Sequence, residues 1–114
     1  MSPSIRVLLA DDHTIVREGV RLCLEALGDI LVVSEADNGE DAVLRAFAEK
    51  PDVVVMDLTM PRLSGIEATR AIRRAAPSIE VVVLSVHDSE AYVEQALRAG
   101  AAGFVLKRLS LIHI

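Results

Sequence analysis

Short apolar runs alternate with longer amphipathic stretches along this chain. Ile5 to Ala10 reads as a buried strand. From about Thr14 to Leu27, Val16, Val20, Cys23 or Leu24, and Leu27 recur near the 3.6-residue period of one helix face. Gly28 is placed to end that helix in a left-handed conformation. Ile30 to Glu35 is the second strand. Asn38 then starts a helix, because its side chain can accept from the free amides of the first turn. Asp41 takes the reciprocal position of a capping box, where Asp is a weaker partner than Glu. Ala42, Val43, Ala46 and Phe47 line the apolar face, and Pro51, which lacks an amide hydrogen, ends the helix.

The strongest strand signal is Asp52 to Asp57. Its continuous run Val53-Val54-Val55-Met56 suits a central parallel strand covered on both faces. Ser64-Gly65-Ile66-Glu67 has the spacing of a full capping box, opening a helix to about Ala76 that Pro77 blocks. Val81 to Ser85 is a fourth strand. Asp88 is placed to cap a fourth helix that turns Val93, Ala96 and Leu97 inward, with Gly100 as its stop. Gly103 to Leu106 is a short fifth strand. Repeated strand-helix alternation with short connections predicts an α/β fold, a doubly wound sheet of five parallel strands with helices on both faces. Residues 107–114 are too few for a typical covering helix. The expectation is therefore one domain over residues 1–114, truncated or altered after about residue 110, with Leu109, Leu111, Ile112 and Ile114 in need of cover.

Composition narrows the class. A chain of 114 residues can bury one sizeable core without a disulfide scaffold. The lone Cys23 has no intramolecular partner, which points to a reducing, cytoplasmic setting. Seventeen acidic against twelve basic residues, a net charge of -5, argue against a surface that coats nucleic acid. A membrane span needs about 20 apolar residues and the runs here are far shorter, so no membrane partner is expected; nor is there a signal-peptide stretch.

Ligands of a doubly wound sheet sit beyond the carboxyl ends of its strands. Asp11 and Asp12 follow the first strand and Asp57 closes the third, so they converge if those strands are neighbours. Three carboxylates in one crevice repel unless protonation, a nearby cation or a metal relieves them. An all-oxygen set favours Mg2+, or Mn2+, over zinc. His13 and His87 lie at strand ends as well, but for each, surface or loop packing outranks ligation. Lys107 ends the fifth strand and Ser85 the fourth; an ammonium and a hydroxyl there can hold an oxyanion. Together these groups suit phosphoryl transfer to a carboxylate. Singly, each has a plainer role: Asp12 as a cap for the helix at Thr14, Ser85 as a helix-entry cap, Lys107 as an exposed terminal charge. Four successive units placing polar groups on one rim favour the joint reading.

Asp11-Asp12-His13 followed by Val16-Arg17-Glu18-Gly19, Val55-Met56-Asp57-Leu58-Thr59-Met60-Pro61 with Gly65, Val83-Leu84-Ser85, and the run from Gly100 to Lys107 form an ordered set. On these residues the chain resembles the receiver domain of a bacterial two-component response regulator, a flavodoxin-like fold. It is most similar to the subfamily carrying a C-terminal helix-turn-helix domain. The resemblance implies that Asp57 accepts phosphate from the phosphohistidine of a sensor histidine kinase. It also implies that Asp12, Asp57 and the Thr59 backbone carbonyl bind Mg2+, with Asp11 acting through water. Lys107 would pair with the phosphate, Ser85 would be the switch hydroxyl, and Phe104 the aromatic that turns inward as Ser85 engages. Acceptance of small phosphodonors and self-catalysed dephosphorylation belong to the same implication.

Two departures bear on function. The family continues past the Lys107-Arg108-Leu109-Ser110 region into a fifth helix, often with a proline after the serine, and Thr14 stands where proline is common. The chain is accordingly expected to lack the final helix and the output domain, to bind DNA only through that missing domain, and to self-associate more readily than a complete receiver. The competing functions are a non-phosphorylatable protein-interaction module with the same fold and a small phosphohydrolase. The full Asp11, Asp12, Asp57, Ser85 and Lys107 set weighs against the first; the lack of a cap or substrate-binding segment weighs against the second.

Overall fold

The computed structural model describes residues 4–85 and 90–106. Its elements follow in the order β1 (Ile5–Ala10), α1 (Thr14–Glu25), β2 (Ile30–Ala36), α2 (Gly39–Glu49), β3 (Val53–Asp57), α3 (Gly65–Ala75), β4 (Glu80–Ser85), α4 (Glu90–Arg98) and β5 (Gly103–Leu106). The strands form one parallel sheet ordered β2-β1-β3-β4-β5. This is the doubly wound fold expected from the alternation, with four helices among the described residues.

The apolar runs fall where burial is greatest. β1 and β3 lie side by side in the sheet's interior, and Leu8, Leu9, Val54 and Met56 are fully buried. One sheet face carries the larger core, in which Leu8, Val54, Met56, Val81 and Val83 meet Ala42 and Ala46 of α2, Ala68 and Ile72 of α3, and Ala96 of α4. The opposite face is thinner: Val7, Leu9, Val55 and Leu84 pack with Val20 and Leu24 of α1. Period-2 side-chain alternation explains why Leu8 and Leu9 serve different faces.

The predicted N-cap bonds form, but the capping boxes do not close: the Asp41 and Glu67 carboxylates instead accept from Arg45 and Arg70, each within its own helix. The Asn38 carboxamide accepts from the Asp41 amide at 2.8 Å, and the Ser64 hydroxyl from the Glu67 amide at 3.2 Å. Three expectations about helix faces need correction. α1 stops at Glu25, and Leu27 is 69% exposed. The amides of Leu27 and Gly28 reach back only three residues, to Leu24 and Glu25, and this tighter turn leads into the left-handed Gly28 (φ 91), rotating Leu27 off the sheet. Cys23 is likewise exposed. In α2, the buried pair Ala42 and Ala46 defines the inner stripe, leaving Phe47 at its edge, 41% exposed. In α4, Ala96 and the following Ala99 face inward, and Leu97, one position further round the helix, is 52% exposed. Small inward residues draw these helices close to the sheet, so the larger neighbours stay at the rim. The helix-opening role of Asp88, His87 itself, and the fate of residues 107–114 lie outside the described residues.

Candidate functional site: an acidic cluster at the strand ends

The pairing of β1 with β3 builds the site. Ala10 is level with Met56, so the next residue on each strand, Asp11 and Asp57, arrives at the same edge of the sheet. Asp11 still belongs to the ladder through its amide, which donates to the Ala36 carbonyl of β2 at 3.0 Å. The chain then turns: the Asp11 carboxylate accepts from the His13 amide at 2.9 Å, which throws Asp12 and the His13 ring outward toward solvent. α1 begins at Thr14 with His13 as its N-cap and with no side-chain capping bond, so Asp12 is not the helix cap.

Ligand atoms of Asp11, Asp12, His13 and Asp57 all lie within 4.8 Å of one another. Asp11 and Asp57 are buried, at 0% and 3% exposure. The His13 Nδ1 stands 3.0 Å from Asp12 and 3.4 Å from Asp11. Burying like charges this close is costly without positive charge among them, and carboxylate oxygens are hard donors. The donor set therefore fits Mg2+ or Mn2+, the cation expected of such a pocket. The sequence favours surface or loop packing for His13, and its side chain is 66% exposed; what brings it within reach of the acids is the turn made by Asp11, a backbone event with no periodic signature.

The other expected residues take definite positions. Thr59 donates its amide toward the Asp57 carboxylate at 3.4 Å. Ser85 closes β4, is 1% exposed, and follows Leu84, the register partner of Asp57. Phe104 lies on β5 opposite Val83, half-buried against the larger core. Lys107 lies outside the described residues. Gly65, a motif residue at the start of α3, has its backbone against the site: a Cβ there would lie 2.0 Å from the Asp57 carbonyl oxygen, and its amide donates to the Leu58 carbonyl at 2.9 Å. Only glycine permits that approach of α3 to the end of β3.

A parallel sheet with a buried carboxylate at the end of its central strand and a second acidic turn beside it defines a class of α/β domain whose strand-end pocket can hold a divalent cation. Known proteins place the chain more closely. The model of the response regulator receiver domain matches residues 7–114. The transcriptional regulatory protein YxjL of Bacillus subtilis is 48% identical over 103 residues, which are 90% of this chain and 47% of that protein. DegU of Brevibacillus brevis is 41% identical, over 92% of this chain and 44% of that protein. Among solved structures, the signal receiver domain of the putative response regulator NarL from Mycobacterium tuberculosis superposes with a TM-score of 0.90 at 42% identity, covering 93% of this chain and 86% of that one. The chain belongs to the response regulator receiver domain family. It spans about half the length of the curated relatives it matches. Among the described residues, no helix is long and apolar enough to cross a membrane.

Proposed function

We propose that this chain is the phosphoacceptor switch of a two-component transcriptional regulator, with Asp57 as the residue modified. One Asp57 carboxylate oxygen bonds to phosphorus while the bond from phosphorus to the donor nitrogen of a sensor kinase's phosphohistidine breaks. The histidine nitrogen leaves and an aspartyl phosphate remains. The observation that supports this most is the gathering of Asp11, Asp12 and Asp57 at the level ends of β1 and β3. When bound, the divalent cation neutralises charge on the transferred oxygens. Asp12, Asp57 and the Thr59 carbonyl would hold it, with Asp11 acting through water.

The chain's own residues do the rest in this reading. Burial of Asp57 excludes competing water and orients its carboxylate, and the Ser85 hydroxyl and the Lys107 ammonium receive the phosphoryl oxygens. A phosphoryl group adds about -1.5 to -2 charges and three acceptor oxygens, enough to draw those donors inward. Phe104 then repacks into the space Ser85 leaves, giving a second arrangement of β4 and β5. The domain reading follows: residues 1–114 are one receiver unit, and DNA binding resides in an output domain beyond this segment. Incubation with phosphoramidate or acetyl phosphate and Mg2+, followed by intact-mass analysis, tests the proposal. One acid-stable, hydroxylamine-labile phosphoryl adduct is expected, and Asp57→Asn should abolish it. A folded wild-type chain that acquires no adduct would leave the protein-interaction module in its place.

A further inference from the structure

The receiver reading leaves unused the arginine of the Val16-Arg17-Glu18-Gly19 stretch. Arg17 sits in the first full turn of α1, and its side chain is only 17% exposed. Its Nη1 donates to the Asp11 backbone carbonyl at 2.6 Å, and its Nε donates to the Glu35 carboxylate at 2.9 Å. Glu35 lies on β2, the edge strand, in register with Leu9 of β1. The Asp11 peptide is thus gripped from both sides: its amide by the Ala36 carbonyl of β2, its carbonyl by a guanidinium that is itself anchored to β2.

We propose that Arg17, braced by Glu35, is a positioning residue for cation binding: it holds the turn that carries Asp11, Asp12 and His13 against Asp57. The inference rests on the cation-site reading above. Two physical effects act together. A planar guanidinium spans two acceptors with fixed geometry, so it sets the direction in which the chain leaves β1 and hence where Asp12 points. It also fixes a full positive charge on the acidic turn, which lowers the cost of holding the carboxylates close before a cation arrives. Neighbouring charges keep the brace in place. Arg21 pairs with Glu18 and with Glu25, and stands 3.8 Å from Glu35. Its guanidinium is held above its ordinary value by the hydrogen bond to Glu18 and the charges of Glu18, Glu25 and Glu35.

Lysine in place of Arg17 keeps the charge but not the fork. It should retain more of the cation affinity than Arg17→Ala. Groups that orient ligands without touching the metal typically govern affinity by about 10–100-fold, and the Ala variant is expected in that range.

The experiment is a Mn2+ titration of the whole chain, following the free-ion electron paramagnetic resonance signal. It is paired with the Mg2+ concentration giving half-maximal phosphorylation by phosphoramidate and with the rate at saturating Mg2+. Arg17→Ala should weaken Mn2+ binding and raise the Mg2+ requirement in proportion, while the saturated rate stays near wild type. Arg17→Lys should fall between, Glu35→Gln should weaken binding less than Arg17→Ala, and the exposed-pair control Arg70→Ala should match wild type. A merely structural role would lower the melting temperature without this split between affinity and saturated rate. Unchanged Mn2+ affinity in Arg17→Ala, or a fall in saturated rate with affinity unchanged, overturns the proposal. If the alanine variant does not fold, Arg17→Lys and Glu35→Gln decide it, and wild-type affinity in both overturns it. Failure of the wild type itself to bind Mn2+ would instead sink the cation site, a separate result.

Discussion

Replacing Gly65 with alanine sets a backbone collision against a gain in helix propensity. The new methyl would sit 2.0 Å from the Asp57 carbonyl oxygen and 2.8 Å from the Leu58 Cα, far inside van der Waals contact. Both neighbours are main-chain atoms at the end of a central strand, so no side-chain rotation relieves the clash. Alanine gains at most about 1 kcal/mol over glycine in a helix interior, and less in a first turn. Overpacking a close site costs about 1–3 kcal/mol. Pushing α3 away also stretches the hydrogen bond from the Gly65 amide to the Leu58 carbonyl, worth about 1 kcal/mol. The collision therefore wins, and Gly65→Ala should be less stable by about 1–3 kcal/mol. Because the displaced carbonyl belongs to Asp57, phosphorylation by phosphoramidate at saturating Mg2+ should slow as well. Urea unfolding with the slope compared to wild type gives the first quantity, and timed intact-mass spectra give the second. A variant as stable as wild type that acquires phosphate at the wild-type rate would refute the claim that glycine is required by the approach of α3 to β3.

Stability measurements also discriminate the inward and outward positions of the helices. Ile72 is 0% exposed within the larger core, so Ile72→Ala should cost about 2–5 kcal/mol, whereas Leu97→Ala, at an exposed position, should stay within about 0.5 kcal/mol; comparable losses in urea melts would contradict the assigned faces. Asn38→Ala removes the cap on the Asp41 amide and should cost about 0.5–2 kcal/mol, with Asn38→Ser restoring most of it. An unchanged denaturation midpoint for Asn38→Ala would show that the cap contributes nothing.

Much of the architecture was legible because it depends on short-range chemistry. A run such as Val53-Val54-Val55-Met56 needs cover on both faces wherever it sits, and Asn38 and Ser64 satisfy amides only three residues away. The motif residues likewise marked Asp11, Asp12 and Asp57 as belonging to one rim. Side-chain direction was less legible. Period alone assigned Leu27, Phe47 and Leu97 inward, but the alanines of α2 and α4 set how closely those helices approach, and the tightened end of α1 turned Leu27 away.

What the sequence determined by itself is the alternation of strands and helices, the helix starts, and the identity of the acids available for chemistry. Tertiary structure decided which of those acids meet. Sheet order made β1 and β3 neighbours and their register made Asp11 and Asp57 level. It also drew His13 into the cluster and set Arg17 between the acidic turn and Glu35 on the edge strand. Those contacts join residues distant in the chain, and their geometry depends on strand pairing and on one backbone turn, neither of which local periodicity encodes.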